Sequence, residues 1–275
     1  MQDFSEKVVS RGQSLSSPFR KTPANATTSG IWADLSMAPG APVNNFFFST
    51  PLTSAVLASN EGLYHGGDVT PAQKYLKSVS VISTSAPLTL AINDVLLYYP
   101  AIDGDSTDTQ TLVNSVAYSR YSGENVRAYL VAQGSYTGGN DFFITYTNQD
   151  GVTGRTSGVC RLNTAGTYGT LGTAGVGVGN FGWAIPLQQG DNGIRSVESV
   201  TFLQAGGGIF ALVLVYPLGM HYVLEANVPN EKDFFLETGF AMPEVKPGAF
   251  LSFLGCPTGS LAAVPIYGLL NFVWG

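Results

Sequence analysis

The stretch Asn125-Val126-Arg127-Ala128-Tyr129-Leu130-Val131-Ala132-Gln133 alternates throughout, with Val126, Ala128, Leu130 and Ala132 on one face and Arg127, Tyr129, Val131 and Gln133 on the other. A period of two belongs to a β-strand, whose successive side chains point to opposite faces. The signal recurs on both sides of this stretch. Phe142, Ile144 and Tyr146 alternate with Phe143, Thr145 and Thr147; the run then stops at Asn148-Gln149-Asp150-Gly151 before Val152 resumes. That is a hairpin signal, with Gly151 suited to a positive φ. Further strands are expected over residues 76–83, 88–99, 197–203, 210–216 and 250–254, where Val, Ile, Thr, Tyr and Phe are bounded by turn residues. Phe210-Ala211-Leu212-Val213-Leu214-Val215-Tyr216 is apolar without alternation, so both of its faces should be covered and it should lie at the centre. Only residues 53–59, after Pro51, and 231–237, after Pro229, read as short helices.

Composition agrees with this reading. Among 275 residues only 12% are charged, and 33 Gly with 15 Pro exclude a helical bundle or coiled coil. The expected fold is all-β: a two-sheet sandwich, jelly-roll-like, with two smaller sandwiches divided near residue 175 as the alternative. The absence of a fixed internal period disfavours a propeller or solenoid. Residues 1–30, dominated by Ser, Thr, Asn, Pro and Gly, read as an extended N-terminal arm, and residues 31–275 as the sandwich domain. Residues 164–190 carry no charged side chain and are dense in glycine, which marks a long loop.

Several function classes fall away at this level. A net charge of −6 offers no basic excess to neutralise phosphates, so nucleic acid is not an expected partner. Residues 1–30 contain no apolar signal core, and the most apolar stretch, 209–218, is far below the roughly 20 residues of a spanning helix. No membrane partner is expected. Cys160 and Cys256 lie in no metal-ligand spacing and read as two free, buried thiols, a disulfide being the alternative. Gly177-Val178-Gly179-Asn180-Phe181-Gly182 matches a dinucleotide fingerprint in letters, yet Pro186 follows where a helix should continue, so no cofactor is assigned. Asp103, Asp105 and Asp108 miss the EF-hand pattern and read as a solvated turn, with an irregular calcium site as the alternative. Asn25-Ala26-Thr27 is a sequon without a secretion signal. The two histidines, His65 in a turn and His221 after the central strand, read as structural. No nucleophile elbow is present. No catalytic or metal residue is assigned, and the chain reads as a binding protein rather than an enzyme.

The aromatic residues carry more information. Phe46-Phe47-Phe48, Phe142-Phe143 and Phe234-Phe235 must divide between opposite faces, so each cluster should leave some aromatic surface for a partner. Residues 247–275 have no charged side chain and end in Leu269-Leu270-Asn271-Phe272-Val273-Trp274-Gly275, which is either the last core strand or a segment that docks on another subunit. Trp32, Phe46, Phe47, Phe48, Phe272 and Trp274 are the candidate partner-interface residues. A protein assembly surface is favoured over a sugar-stacking platform.

Three segments resemble structural proteins encoded near the capsid genes of tailed bacteriophages. They are Ile31-Trp32-Ala33-Asp34-Leu35-Ser36-Met37-Ala38-Pro39-Gly40 with Asn44-Asn45-Phe46, Tyr146-Thr147-Asn148-Gln149-Asp150-Gly151 with Gly154-Arg155-Thr156, and Gly193-Ile194-Arg195-Ser196-Val197-Glu198-Ser199-Val200. The resemblance implies a virion component, such as a capsid cement or decoration protein or a minor head protein. Its partners would be the major capsid protein and further copies of itself, as a homo-oligomer such as a trimer, assembled in the host cytoplasm. It implies no active site. Two competing expectations are a tail or fibre module that binds host surface glycans, and a polysaccharide-degrading enzyme, which needs two carboxylates about 5–10 Å apart in one cleft.

Overall fold

The computed structural model describes residues 12–23, 29–85, 87–162, 166–172, 182–238 and 241–275. The chain is all-β in a sandwich-like arrangement of antiparallel sheets. The central sheet contains β2 (Ala33–Asp34), β5 (Leu88–Asp103), β7 (Arg127–Ala132), β12 (Ile209–Val223) and β15 (Phe250–Pro257), in the order β2-β15-β5-β12-β7. A six-stranded sheet holds β1 (Ser14–Lys21), β3 (Gly40–Ala41), β4 (Lys74–Ser83), β13 (Asn230–Asp233), β14 (Glu244–Val245) and β16 (Ile266–Trp274). Its order is β13-β4-β16-β1-β3, with β14 also on β4. The third sheet holds β6 (Gln110–Thr111), β8 (Asp141–Asn148), β9 (Arg155–Thr156), β10 (Cys160–Arg161) and β11 (Ile194–Phe202), in the order β10-β8-β11-β6, with β9 on β8.

The two outer sheets share the central one between them. Leu90 and Ile92 of β5, with Leu218, Leu251 and Phe253, pack on Phe19, Leu76, Val79, Val81, Leu270 and Phe272 of the six-stranded sheet. Further along the same strand, Leu97, Tyr99 and Ile102, with Ala128, Leu130, Leu212 and Leu214, pack on Phe142, Ile144, Tyr146, Val197 and Val200 of the third sheet. The opposite face of the central sheet, at Val95, Tyr98, Tyr129, Val131, Val213 and Leu254, is covered by Met37, Phe47 and Leu171 from connecting segments. Two half-sandwiches therefore exist, but the division crosses β5 and β12 instead of falling between two sequence segments.

Most expected strands form. Residues 210–215 are fully buried in the second-last strand position of the central sheet, and Gly151 turns the hairpin with φ 81°. The face carrying Tyr129 and Val131 is as buried as its partner face, because the connecting segments cover it. Both cysteines are free, Cys160 buried and Cys256 partly so.

Three expectations are corrected. Residues 14–21, assigned to the arm, form β1, paired along its length with β16 from Ser14 opposite Val273 to Lys21 opposite Ile266. The inward positions are Leu15, Ser17, Phe19 and Lys21, so two polar residues conceal the alternation. Residues 53–58 form no helix, and a single 3-10 turn begins only at Ser59: Ala55 exchanges two backbone hydrogen bonds with Tyr98 instead, which adds an edge to β5. In the segment 231–237 only the second half is helical: α1 (Phe234–Glu237) follows β13, capped by Asp233, whose carboxylate accepts from the Phe235 and Leu236 N–H groups. The sequon at 25–27 and the centre of the glycine-rich segment, 173–181, lie outside the described residues.

Candidate functional site

A groove of about 660 Å³ opens where the two outer sheets meet over the central one. Its position follows from strand periodicity. Along β12, Leu212 and Leu214 belong to one core and Leu218 to the other, and Tyr216 between them packs against both. Asp94 takes the matching place on β5, opposite Tyr216 in the ladder. The ladder register shifts between Leu214 and Val215 and again between Pro217 and Gly219, so the strand bends as it passes from one core to the next.

Asp94 is fully buried there, and Arg120 answers it with both arms of the guanidinium: Nε to Oδ2 at 2.8 Å and Nη2 to Oδ1 at 2.9 Å. The Phe250 N–H donates to the same carboxylate at 3.0 Å, and Arg120 also donates to the Val95 carbonyl at 3.0 Å. Burial between two apolar cores pushes the Asp94 carboxyl up to about 6, against the opposing pull of Arg120. Above it lies Tyr121, whose ring stacks on Tyr216 with centroids 3.7 Å apart and planes 6° from parallel.

The wall that carries Tyr121 is tightly wound. Tyr121, Ser122 and Asn125 all have positive φ, at 64°, 49° and 61°, around Gly123 at 92°. Three non-glycine residues in the left-handed region of one turn store backbone strain. The turn is held from outside: the Asn125 N–H donates to Asn192 O at 3.1 Å, and Gly193 approaches so closely that a Cβ there would sit 1.9 Å from Gly123 O. Glu124 and Asn192 line this side of the groove, while Met242, Glu244 and Lys246 line the other, with Lys246 Nζ 2.5 Å from Glu244 Oε2.

A second polar cluster lies beside this wall. Asp191 receives Arg155 at 2.9 and 3.1 Å, the Tyr146 hydroxyl at 2.6 Å and the Asn148 amide at 2.8 Å. The Arg155 hydrogen bonds, followed by those from Tyr146 and Asn148, hold its carboxyl down at about 2. Gln149 accepts from the Asn192 and Gly193 N–H groups and its carbonyl receives Arg195, so residues 146–156 and 191–200 form one packed unit.

The sequence-derived interface residues separate into three groups. Phe47 and Phe272 are fully buried, Phe47 against Tyr98 and Phe272 beside His65, so neither meets a partner in the folded chain. Trp32 and Phe46 are half-buried over the central sheet. Trp274 is half-buried with Lys74 Nζ 5.9 Å from its ring centre. Phe48 projects, 70% exposed, with its ring stacked on Phe46 at 5.7 Å. Val56, Val113 and Val116 are also exposed, and Ser54 ties their two segments together through Val113 O and the Val116 N–H, each at 2.8 Å.

The remaining polar candidates are buried in the fold or hydrogen-bonded within their turns. His65 is buried: its Nε2–H donates to Ala249 O at 3.0 Å while Nδ1 receives Lys74 at 3.3 Å. His221 is buried on β12. Asp103 and Asp105 accept from the Asp105 and Gly207 N–H groups, as turn residues do. No group of three or more His, Cys, Asp or Glu side chains able to hold a metal occurs among the described residues, and no described helix is long and apolar enough to cross a membrane. The glycine motif at 177–182 lies, but for its last residue, outside the described residues. Sequence reading passed over Lys21, which is buried with Nζ among the carbonyls of Ala38 and Pro42, at 3.2 and 2.8 Å, and which burial lowers to about 8.

No family model, no curated protein and no solved structure matches this chain.

Proposed function

We propose that the chain is a structural component of a phage virion, binding the capsid lattice as a cement or decoration protein through protein–protein contacts and carrying out no chemistry itself. The observation that carries this reading is that Phe48, Val56, Val113 and Val116 are all exposed apolar side chains, the last two on a segment tied through Ser54 to the one that carries Val56. Apolar and aromatic side chains on a low-charge surface can be covered by a neighbour at little desolvation cost. The three segments that resemble capsid-associated proteins support the same role, and two of them, 146–156 and 193–200, pack against each other. The partners on this reading are the major capsid protein and further copies of this chain, and the location is the virion, assembled in the host cytoplasm. A protein that binds only the assembled lattice stabilises it by mass action.

The test is cosedimentation with empty capsids that lack the protein, alongside its mass in solution. Saturable binding that is lost in a Phe48→Asp, Val113→Asp double variant is the expected result. Both positions are more than half exposed, so the variant should fold. Failure of the parent chain to sediment with capsids would refute the proposal.

A further inference from the structure

We infer that the groove between the two outer sheets is a binding site for a neutral saccharide. The inference rests on the groove's own chemistry and does not depend on where in a particle the chain sits. The volume of about 660 Å³ falls within the range of roughly 300–1,000 Å³ typical of small-molecule sites.

Its base is aromatic and rigid. Tyr121 lies parallel to the ring of Tyr216, with centroids 3.7 Å apart and both side chains half-buried, so its position is fixed before any ligand arrives. A preorganised platform loses little entropy on binding. The strained turn at 121–125 belongs to the same wall, and strain of this kind persists where surrounding structure enforces it.

The lining decides among ligand classes. Glu124, Glu244 and Lys246 leave the groove with an excess of one negative charge, and Lys246 is already paired with Glu244. A phosphate or other anion would meet repulsion without a free cation. A wholly apolar ligand would strip water from Glu124 and Asn192 with nothing in return. A neutral sugar satisfies both halves of the site. Its C–H face packs against the part-exposed side of the Tyr121–Tyr216 pair, while its hydroxyls donate to the Glu124 carboxylate and both donate to and accept from the Asn192 amide. Both side chains are exposed, on backbone held by hydrogen bonds from the Glu124 N–H to Tyr121 O at 3.1 Å and from Arg127 to Asn192 O at 2.6 Å.

The experiment is calorimetric titration of the full chain with neutral trisaccharides of glucose, galactose, mannose and N-acetylglucosamine, with inorganic phosphate as a control. At least one saccharide is expected to bind and phosphate is not. Glu124→Gln and Asn192→Ala should each weaken that binding about tenfold or more with the melting temperature unchanged, because neither side chain is buried. Glu231→Gln, on the distant edge strand β13, should leave it as it was. Absence of binding by all the saccharides at about 10 mM, or binding that survives both groove variants undiminished, would overturn the inference. Loss of capsid binding with saccharide binding intact would refute only the virion proposal.

Discussion

Asp94 and Asp191 make the same bond in two different places. Each receives an arginine through both guanidinium arms, at 2.8 and 2.9 Å for Arg120 and at 2.9 and 3.1 Å for Arg155. Yet one carboxyl is pushed up to about 6 and the other held down at about 2. Neither touches much water, so exposed area does not separate them. Surroundings do. Asp94 lies between two apolar cores, where the cost of desolvating a charge outweighs the attraction of its partner. Asp191 sits at the rim of one sheet, where the Tyr146 hydroxyl and the Asn148 amide add donors in place of hydrocarbon. An ion pair is therefore not a unit of fixed value; the medium around it sets the sign of its contribution.

The sharpest way to break the comparison is Arg120→Ala, which leaves an unpaired carboxylate between the cores. A loss of about 3–5 kcal/mol is expected in urea denaturation at neutral pH, and replacing both Asp94 and Arg120 with apolar residues of similar size should recover much of it. A loss as small as that of an exposed pair would show that the seam is open to water.

The next effect is a pH slope of opposite sign at the two sites. The folded carboxyl of Asp94 titrates above its unfolded value, so its contribution is fully present below about pH 4 and is lost as pH rises through 6. Relative to Asp94→Asn, the parent should lose on the order of 1–3 kcal/mol between pH 4.5 and 7.5. Parallel stability curves for the two proteins would count against burial as the cause. For Asp191 the folded value lies below the unfolded one, so its contribution is present above about pH 4 and disappears as pH falls through 2. Asp191→Asn should be less stable than the parent at pH 7, with the gap closing in acid, as followed by thermal melts from pH 7 to pH 2. The smallest effect belongs to Arg161 and Asp141, 3.3 Å apart with side chains 47% and 27% exposed. Arg161→Ala should change stability by no more than about 1 kcal/mol, and added salt should erase even that.

Much of the architecture was legible in the sequence because strand periodicity is a local property. The faces of 126–132 and 142–146 and the unbroken apolar run 210–216 need no knowledge of their neighbours. The Phe46–Phe47–Phe48 triplet does divide as alternation demands, with Phe47 inward and Phe48 outward. What the sequence concealed are places where tertiary context overrides the letters. β1 reads as a polar terminus because Ser17 and Lys21 occupy inward positions, Lys21 surviving there by donating hydrogen bonds to backbone carbonyls. Phe272 lies in an apolar terminal run that fits a docking tail as well as a core strand, and only the pairing of β16 on both sides decides between them. The groove was invisible for a similar reason. Asn93-Asp94 interrupts an otherwise apolar strand, and two consecutive polar residues at buried positions are a sign that a strand changes cores. That sign was available at 88–99, but the partners Tyr121, Arg120 and Tyr216 are joined to it only by the fold.

The six-stranded sheet imposes an order of events on biosynthesis. Among the described residues β4 pairs with β13, β14 and β16, and β1 is paired along its length by β16 and at its end by β3. At about 5–20 residues per second, the ribosome must deliver nearly two hundred further residues after β4 before its open edge can pair with the final strand. The third sheet needs no such wait, since β8 and β11 emerge close together. Translation would thus complete one end of the molecule early and leave the other as sticky nascent chain, which makes this half the natural client of a chaperone and the first place where a stalled or truncated product would aggregate.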